Sequence, residues 1–407
     1  MVDAHDQQRS VGISRRGFFA GVGAAGVAGA LAACAADSEP STGARRPAEA
    51  EVASPHKEGQ LDTVTFDGPH QAGIATPHQA HAVVIAYNFA GAEANRTNMR
   101  RLMTIWTGDA RAMTSGGAAL ADLEAELGAS PANLTITVGW GPRLIDALKL
   151  TGDVPHWCRN NLHGLPAFEG DQLDPAWGEA DLCLQICGDD LTTVSHAARV
   201  LTRGGQDYVR PVWSQRGFVN VRDGETPRNL LGFKDGTAIP RTEEEYDAAV
   251  WDDLGGSAMV VRRVVYDMPD WEALDRAGRE EVFGRTATEG APLGAEDEFD
   301  EVDLNKTDEF GIPYIDRNSH VGLSAGEGTR MRRRAYNWDG EISAPGNTGL
   351  IFICFQDDPD EAFTPLQRRL AAHDRLNRWV THVGSAVFWV PPGTQPGTYW
   401  GKSLLDG

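Results

Sequence analysis

Cysteine, basic charge and long apolar runs are all scarce in this chain. Five cysteines in 407 residues do not make a disulfide framework. Cys34 falls in an N-terminal apolar stretch, which leaves Cys158, Cys183, Cys187 and Cys354. Cys183 and Cys187 sit in an alternating, strand-like segment, where four residues span about 13 Å. That is too far for a disulfide without breaking the strand, and the spacing is not that of a CxxC pair. These thiols read as small buried hydrophobes. Lys and Arg number 37 against 58 Asp and Glu, a formal charge of -21. So acidic a chain is unsuited to nucleic acid, and to docking on anionic lipid by electrostatics. The acidic runs Glu243-Glu244-Glu245 and Glu296 to Asp303 read as solvated loops, and an acidic exterior could draw in cationic substrates.

The main apolar run, Ala20 to Ala35, is too short and too weakly hydrophobic for a membrane span. It follows Ser14-Arg15-Arg16-Gly17-Phe18-Phe19, and paired arginines before a mild apolar region read as a twin-arginine export signal. A buried helix would need a polar face, which this run lacks. Leu31-Ala-Ala-Cys34 also resembles a lipoprotein box with Cys34 as the lipid anchor, a reading slightly preferred to a cut at an A-x-A-like site ending at Ala35. Residues 36–58, rich in Ala, Glu, Pro and Ser, read as a flexible tether. The expected product is exported by the twin-arginine machinery and is extracytoplasmic, either released or anchored.

The remaining residues, about 350, are enough for two domains, expected at 59–225 and 226–407. The first reads as strand Ala82 to Phe89, helix Glu93 to Trp106, strands Leu134 to Val138 and Asp181 to Cys187, helix Leu191 to Leu201 and strand Val209 to Val221. The second reads as strand Ala258 to Tyr266, helix Asp270 to Phe283, strands around Arg330 to Trp338 and Gly349 to Phe355, helix Pro359 to Trp379 and strand Ala386 to Val390. Each half follows strand-helix-strand-strand-helix-strand. The expected fold is therefore α+β, two ferredoxin-like domains, each an antiparallel sheet with helices. Thr286 to Asn305 has no period and reads as an ordered loop or insertion.

Chemistry is concentrated in three segments. Asn229-Leu-Leu-Gly-Phe-Lys-Asp235-Gly236-Thr237 ends an apolar run on an Asp-Gly turn, where an aspartate commonly bonds its own backbone. An isolated histidine follows in Asn318-Ser-His320-Val-Gly-Leu323, then an arginine run in Thr329-Arg-Met-Arg-Arg-Arg-Ala-Tyr336. A carboxylate, an imidazole and a guanidinium are the parts that hold a haem and split a peroxide above it. If the arginine run is a strand, Arg330, Arg332 and Arg334 share one face, and Met331, Arg333, Ala335 and Asn337 share the less charged one. A solvated basic strand then describes Arg330, Arg332 and Arg334 better than Arg333.

Together with Gly68-Pro-His-Gln-Ala-Gly-Ile-Ala-Thr-Pro77, Leu134 to Pro142, Asp181 to Asp190 and Gly349 to Asp357, these segments resemble the dye-decolourising peroxidase family over nearly everything after residue 60. The resemblance implies haem b (iron protoporphyrin IX) in the second domain, with His320 as iron ligand and Asp374 as the carboxylate behind it. It also implies Asp235 as distal acid and base, Arg333 as distal cation, and Gly236 and Thr237 as haem contacts. His70, His78, His81 and His382 are rival ligands on composition alone. Thirteen residues separate His320 from Arg333, and the loop Ser324 to Thr329 between them is expected near the haem edge.

Imidazole backed by a carboxylate pushes electron density toward iron. A base and a cation opposite it move the peroxide proton and stabilise the developing charge. The implied partners are hydrogen peroxide and an organic electron donor, a dye or phenol among them. Trp338, Trp389 and Tyr399 are candidate electron relays. Two rival readings remain, a deferrochelatase-like protein releasing iron from haem in an iron-uptake system and a non-enzymatic haem carrier.

Overall fold

The computed structural model describes residues 63–220, 225–325, 330–341 and 346–407. The export signal, Cys34, the tether and residues 326–329 of the expected haem-edge loop lie outside the described residues.

The described residues form nine strands: β1 (His81–Phe89), β2 (Thr135–Trp140), β3 (Leu182–Gly188), β4 (Val209–Phe218), β5 (Ser257–Tyr266), β6 (Arg332–Arg333), β7 (Tyr336–Asp339), β8 (Thr348–Gln356) and β9 (Val380–Val390). In the first half the spatial order is β2-β3-β1-β4, all antiparallel. In the second it is β9-β5-β8, with β6 and β7 both on the far side of β8. Both halves therefore carry the ferredoxin-like sheet, the first and last strands adjacent at its centre and edge. Two single residue pairs, Trp140 with Trp389 and Phe218 with Asn337, join the sheets edge to edge. Since β5 also pairs with β8, the strands form a closed ring, which removes the exposed edges an open sheet would leave.

Closure explains the burial pattern. Along β1, Val83, Ile85 and Tyr87 pack under the helices, while Ala82, Val84 and Ala86 face the interior between the two sheets. Both faces are covered, so the strand reads as a continuous apolar run rather than an alternating one. Phe355, Phe388, Tyr336 and Trp338 fill the interior from the second sheet. The cysteines at 158, 183, 187 and 354 are buried and unpaired.

Several boundaries differ from expectation for local reasons. Helix α1 (Arg96–Thr114) begins after Asn95, whose side chain accepts from the Asn98 amide, and continues to Thr114 because Ala110 and Met113 extend its apolar stripe. The single helix expected over Asp270 to Phe283 is two, α2 (Met268–Ala273) and α3 (Arg276–Phe283). Leu274 is extended between them and Asp275 caps the second. The helix expected to reach Trp379 stops at His373 as α5 (Phe363–His373), following the short α4 (His320–Ser324). Asp374 is extended there and starts a tighter turn, Arg375–Arg378. Strand β9 begins earlier than expected, at Val380, because a bulge in β9 at Val383, opposite Arg263 and Val264 of β5, keeps the two strands paired. Among the described residues no helix is long and apolar enough to cross a membrane.

Candidate active site

His320 is the first residue of α4, and three contacts fix it. Ser319, fully buried, caps the helix by accepting from the Gly322 amide at 3.1 Å and donates to the Asp316 carbonyl at 2.6 Å. Gly322 has to be glycine, since a Cβ there would lie 2.4 Å from that carbonyl. The third contact is Asp374. Its Oδ2 accepts from His320 Nδ1 at 2.7 Å, while Oδ1 accepts from the Leu376 amide at 2.9 Å. The early end of α5 is thus what delivers Asp374 to the histidine. Burial acts to lower the imidazole pKa, but the Asp374 charge and hydrogen bond outweigh it and the net shift is upward. With Nδ1 committed, Nε2 is left without a hydrogen bond among the described residues. The side chain is still 38 % accessible, so the ring opens on a cleft.

Asp235 reaches the same cleft from the motif that ends in Thr237. Leu231 and Phe233 anchor that segment in an apolar cluster with Trp271, Phe283 and Trp379. Asn337 of β7 holds its start, accepting from the Leu230 amide at 3.1 Å and donating to the Arg228 carbonyl at 2.9 Å. Gly236 follows Asp235 at φ 125°, backbone that only glycine adopts without strain. Phe233 stacks on Phe283 at 3.9 Å, and Phe283 meets the His320 ring edge-on at 5.8 Å. One apolar cluster therefore positions both the carboxylate and the histidine.

Arg333 Nε lies 3.4 Å from Asp235 Oδ1, and its Nη1 donates to the Ala238 carbonyl at 3.1 Å. Both side chains are partly accessible, 28 % and 22 %. The charges of Arg333 and Asp235 both act on His320, in opposite directions, which brings the three groups into one site. Of the six residues predicted around the haem, His320 and Asp374 meet directly, as do Asp235 and Arg333, with Gly236 shaping the turn.

Thr237 has a different partner, and it corrects one expectation. Glu298, read from sequence as part of a solvated acidic loop, is buried. It accepts from Thr237 Oγ1 at 2.8 Å, Thr226 Oγ1 at 2.5 Å and Lys234 Nζ at 2.5 Å. Burial pushes its pKa up, but these donors prevail and the net shift is downward. The aperiodic insertion thus sends a carboxylate back to tie down the turn carrying Asp235. Glu243, Glu244 and Glu245 are likewise not a loop: they form the first turn of a helix whose capping box is Thr242 with Glu245. Arg285, also missed, feels the charges of Glu298 and Arg333 and donates to the Gly290 and Glu298 carbonyls. These links join residues tens of positions apart, and no local motif signals them.

A second correction concerns the arginine run. Arg330 is exposed as expected and pairs with Glu245 at 2.5 Å, but Arg332 and Arg334 are buried, at 4 % and 0 % exposure. Alternation assigned the faces properly, with Arg333 opposite its neighbours. It could not reveal that the other face is the ring interior.

A wide hollow lined by Phe66, Asp67, Arg111, Pro392 and Thr394 contains none of these residues, and its arginine is engaged by Asp67 at 2.8 Å. The groups able to hold a metal and move a proton gather instead around His320. An imidazole with Nδ1 on a carboxylate and Nε2 free has the arrangement that a metal ligand requires. A carboxylate and a guanidinium sharing its cleft fit a haem peroxidase pocket.

Family comparison agrees. Residues 71–219 match the model for the Dyp-type peroxidase N-terminal domain, and residues 226–395 match that for the C-terminal domain. The chain belongs to the dye-decolourising peroxidase family. The dye-decolorizing peroxidase of Thermobifida fusca (strain YX) is 36% identical, over 97% of this chain and 98% of that protein. The deferrochelatase of Escherichia coli (strain K12) is 32% identical, over 84% of this chain and 86% of that one. The crystal structure of a DyP-type peroxidase from Cellulomonas bogoriensis superposes with a TM-score of 0.80 at 41% identity, covering 85% of this chain and 99% of that chain. The chain is thus a haem-binding peroxidase of this family, built as two ferredoxin-like domains.

Proposed function

We propose that the cleft between His320 and the Asp235–Arg333 pair is where this peroxidase reduces hydrogen peroxide, at the expense of dyes, phenols or another organic donor. His320 Nε2 would hold the haem iron, with Asp374 keeping the ring oriented and electron-rich. Bound there, the haem supplies the iron at which peroxide is reduced and the oxidising equivalents that the donor consumes. The protein's own work is proton and charge management. The Asp235 carboxylate takes a proton from one peroxide oxygen and returns it to the other, which leaves as water. Arg333, with Nε 3.4 Å from Asp235, offsets the negative charge that develops as the O–O bond breaks. A carboxylate base accepts only when ionised, yet is best matched to proton transfer near the ordinary carboxylate range, so the working pH moves toward acid compared with a histidine base.

The carrying observation is that these two pairs share one cleft. A carrier would need the His320–Asp374 pair, but an acid beside an arginine would be superfluous to it. One equivalent of peroxide should shift the Soret band of the haem-loaded protein. An unchanged band would leave the carrier reading. Relatives named deferrochelatase support a second activity, release of iron from haem. Its signature would be fluorescent, metal-free porphyrin accumulating under reducing conditions.

The export reading rests on Arg15, Arg16 and the apolar run after them. Passage through the twin-arginine machinery suits a protein that takes up its cofactor before crossing the membrane, and Cys34 is the proposed point of lipid attachment.

A further inference from the structure

Strand β6 is only two residues long, Arg332 and Arg333. Its register continues through Arg334, whose amide donates to the Ile353 carbonyl at 2.8 Å, into β7, with Arg332 opposite Phe355 and Tyr336 opposite Ile351 on β8, and this pairing decides which face Arg333 takes. Holding so short a piece in place against the first half of the chain falls to side chains.

The two flanking arginines do so from the opposite face. Arg332 donates from Nε to the Ile74 carbonyl at 3.2 Å and from Nη2 to the Thr76 carbonyl at 3.1 Å. Arg334 donates from Nη1 to the Thr76 carbonyl at 2.5 Å, and from Nη2 to the Pro77 carbonyl at 3.1 Å and to Gln79 Oε1. Gln79, itself 2 % exposed, is locked by donating to the Asn133 carbonyl at 2.8 Å and to Thr135 Oγ1 at 2.9 Å. The acceptors all belong to the first half of the chain, and the arginines to the second.

We propose that Arg332, Arg334 and Gln79 are positioning residues for Arg333. They pin the arginine strand to residues 74–79, so that the first half, which does not supply the haem ligand, sets the geometry of peroxide cleavage. Burying two guanidiniums is costly, and a solvated face would serve solubility better. The planar fork justifies that cost, since it fixes direction as well as distance where a lysine would not. The pins also explain why the run holds three consecutive arginines. The middle one faces the site, while both neighbours hold the strand from behind the sheet.

The proposal rests on Arg333 being the distal cation, and the test separates the two ideas. Haem-loaded Arg334→Met and Gln79→Leu, each also combined with Arg333→Leu, are mixed with peroxide and the Soret change is timed. A displacement of about 1 Å at a reacting group costs up to ~10²-fold. We expect each single variant to keep its haem and slow the reaction by about tenfold or more, with no further loss in the Arg333→Leu background. Hydrogen exchange of the peptide spanning residues 331–337, measured without peroxide, should also quicken. Wild-type rates in both single variants, or losses that add fully to that of Arg333→Leu, would overturn the positioning role. If Arg334→Met does not fold, Gln79→Leu decides alone, because it removes one acceptor and no buried charge. Should Arg333→Leu itself react at full rate, the fault lies with the distal-cation assignment instead.

Discussion

Replacing Asp374 with asparagine changes no volume and removes one charge, yet the geometry makes it a severe perturbation. Both carboxylate oxygens accept hydrogen bonds, Oδ2 from His320 at 2.7 Å and Oδ1 from the Leu376 amide at 2.9 Å. An amide offers one acceptor and one donor. Whichever way it turns, a donor faces a donor in a side chain only 4 % exposed. An unsatisfied buried donor costs about 1–3 kcal/mol, or roughly 5- to 150-fold at 1.4 kcal/mol per decade. Independently, loss of the partner behind a metal-bound imidazole lowers metal affinity or activity by about 10–100-fold. The two estimates agree, so Asp374→Asn should lose haem to an excess of apomyoglobin about 10–100 times faster than wild type. Wild-type haem retention in a correctly folded Asp374→Asn protein would refute the claim that this carboxylate orients and charges the ligand.

Glu298→Gln should alter stability mainly through pH. The folded pKa of Glu298 lies below its ordinary value of 4.5, so its contribution is full above that value and is lost as the pH falls through the depressed folded pKa. Melting temperatures from pH 3 to 7 should show a smaller acid-side decline in the variant, and parallel curves would remove Glu298 from the account. Gly236→Ala forces a side chain onto backbone at φ 125°, a strain of about 1–3 kcal/mol. With Thr226 at an ordinary 3.5 Å from the new Cβ, the loss should come from strain rather than collision. Denaturant unfolding measures it, and an unchanged midpoint would contradict the strain argument. Changing both Arg15 and Arg16 to lysine should leave precursor in the cytoplasm, whereas Cys34→Ser should free the mature protein from the membrane fraction. Fractionation of the producing cells reads both, and a membrane fraction unaltered by Cys34→Ser would rule out the lipid anchor.

What the sequence made legible was what lies close together along the chain. The Asp235-Gly236 turn after an apolar anchor, the isolated His320 and the separate face of Arg333 stood out within a few residues, while their roles came from the family resemblance. The two ferredoxin-like halves followed from element order. Asp374 was reachable only through family resemblance, because its role depends on α5 ending at His373, and a helix-forming run gives no sign of that. Glu298 was misread because acidity in an aperiodic stretch usually means solvent, and its three donors at 226, 234 and 237 are distant in sequence. Arg332 and Arg334 were misread for a different reason. Period two tells which residues share a face, but whether that face meets water depends on the ring closing, and only two residue pairs and the β5–β8 ladder reveal that.

The central claim is that peroxide is cleaved between Asp235 and Arg333 over a haem held by His320. The most direct measurement is stopped-flow mixing of haem-loaded Asp235→Asn and Arg333→Leu with one equivalent of hydrogen peroxide, following the Soret band against wild type. Loss of the proton-transferring group is worth ~10²–10⁴ in rate, and loss of one charge-stabilising donor about 10²–10³. The prediction is that at least one variant retains its haem and reacts more than about tenfold slower. If both carry full haem and react at the wild-type rate, peroxide is not cleaved at this pair and the assignment of the active site is wrong.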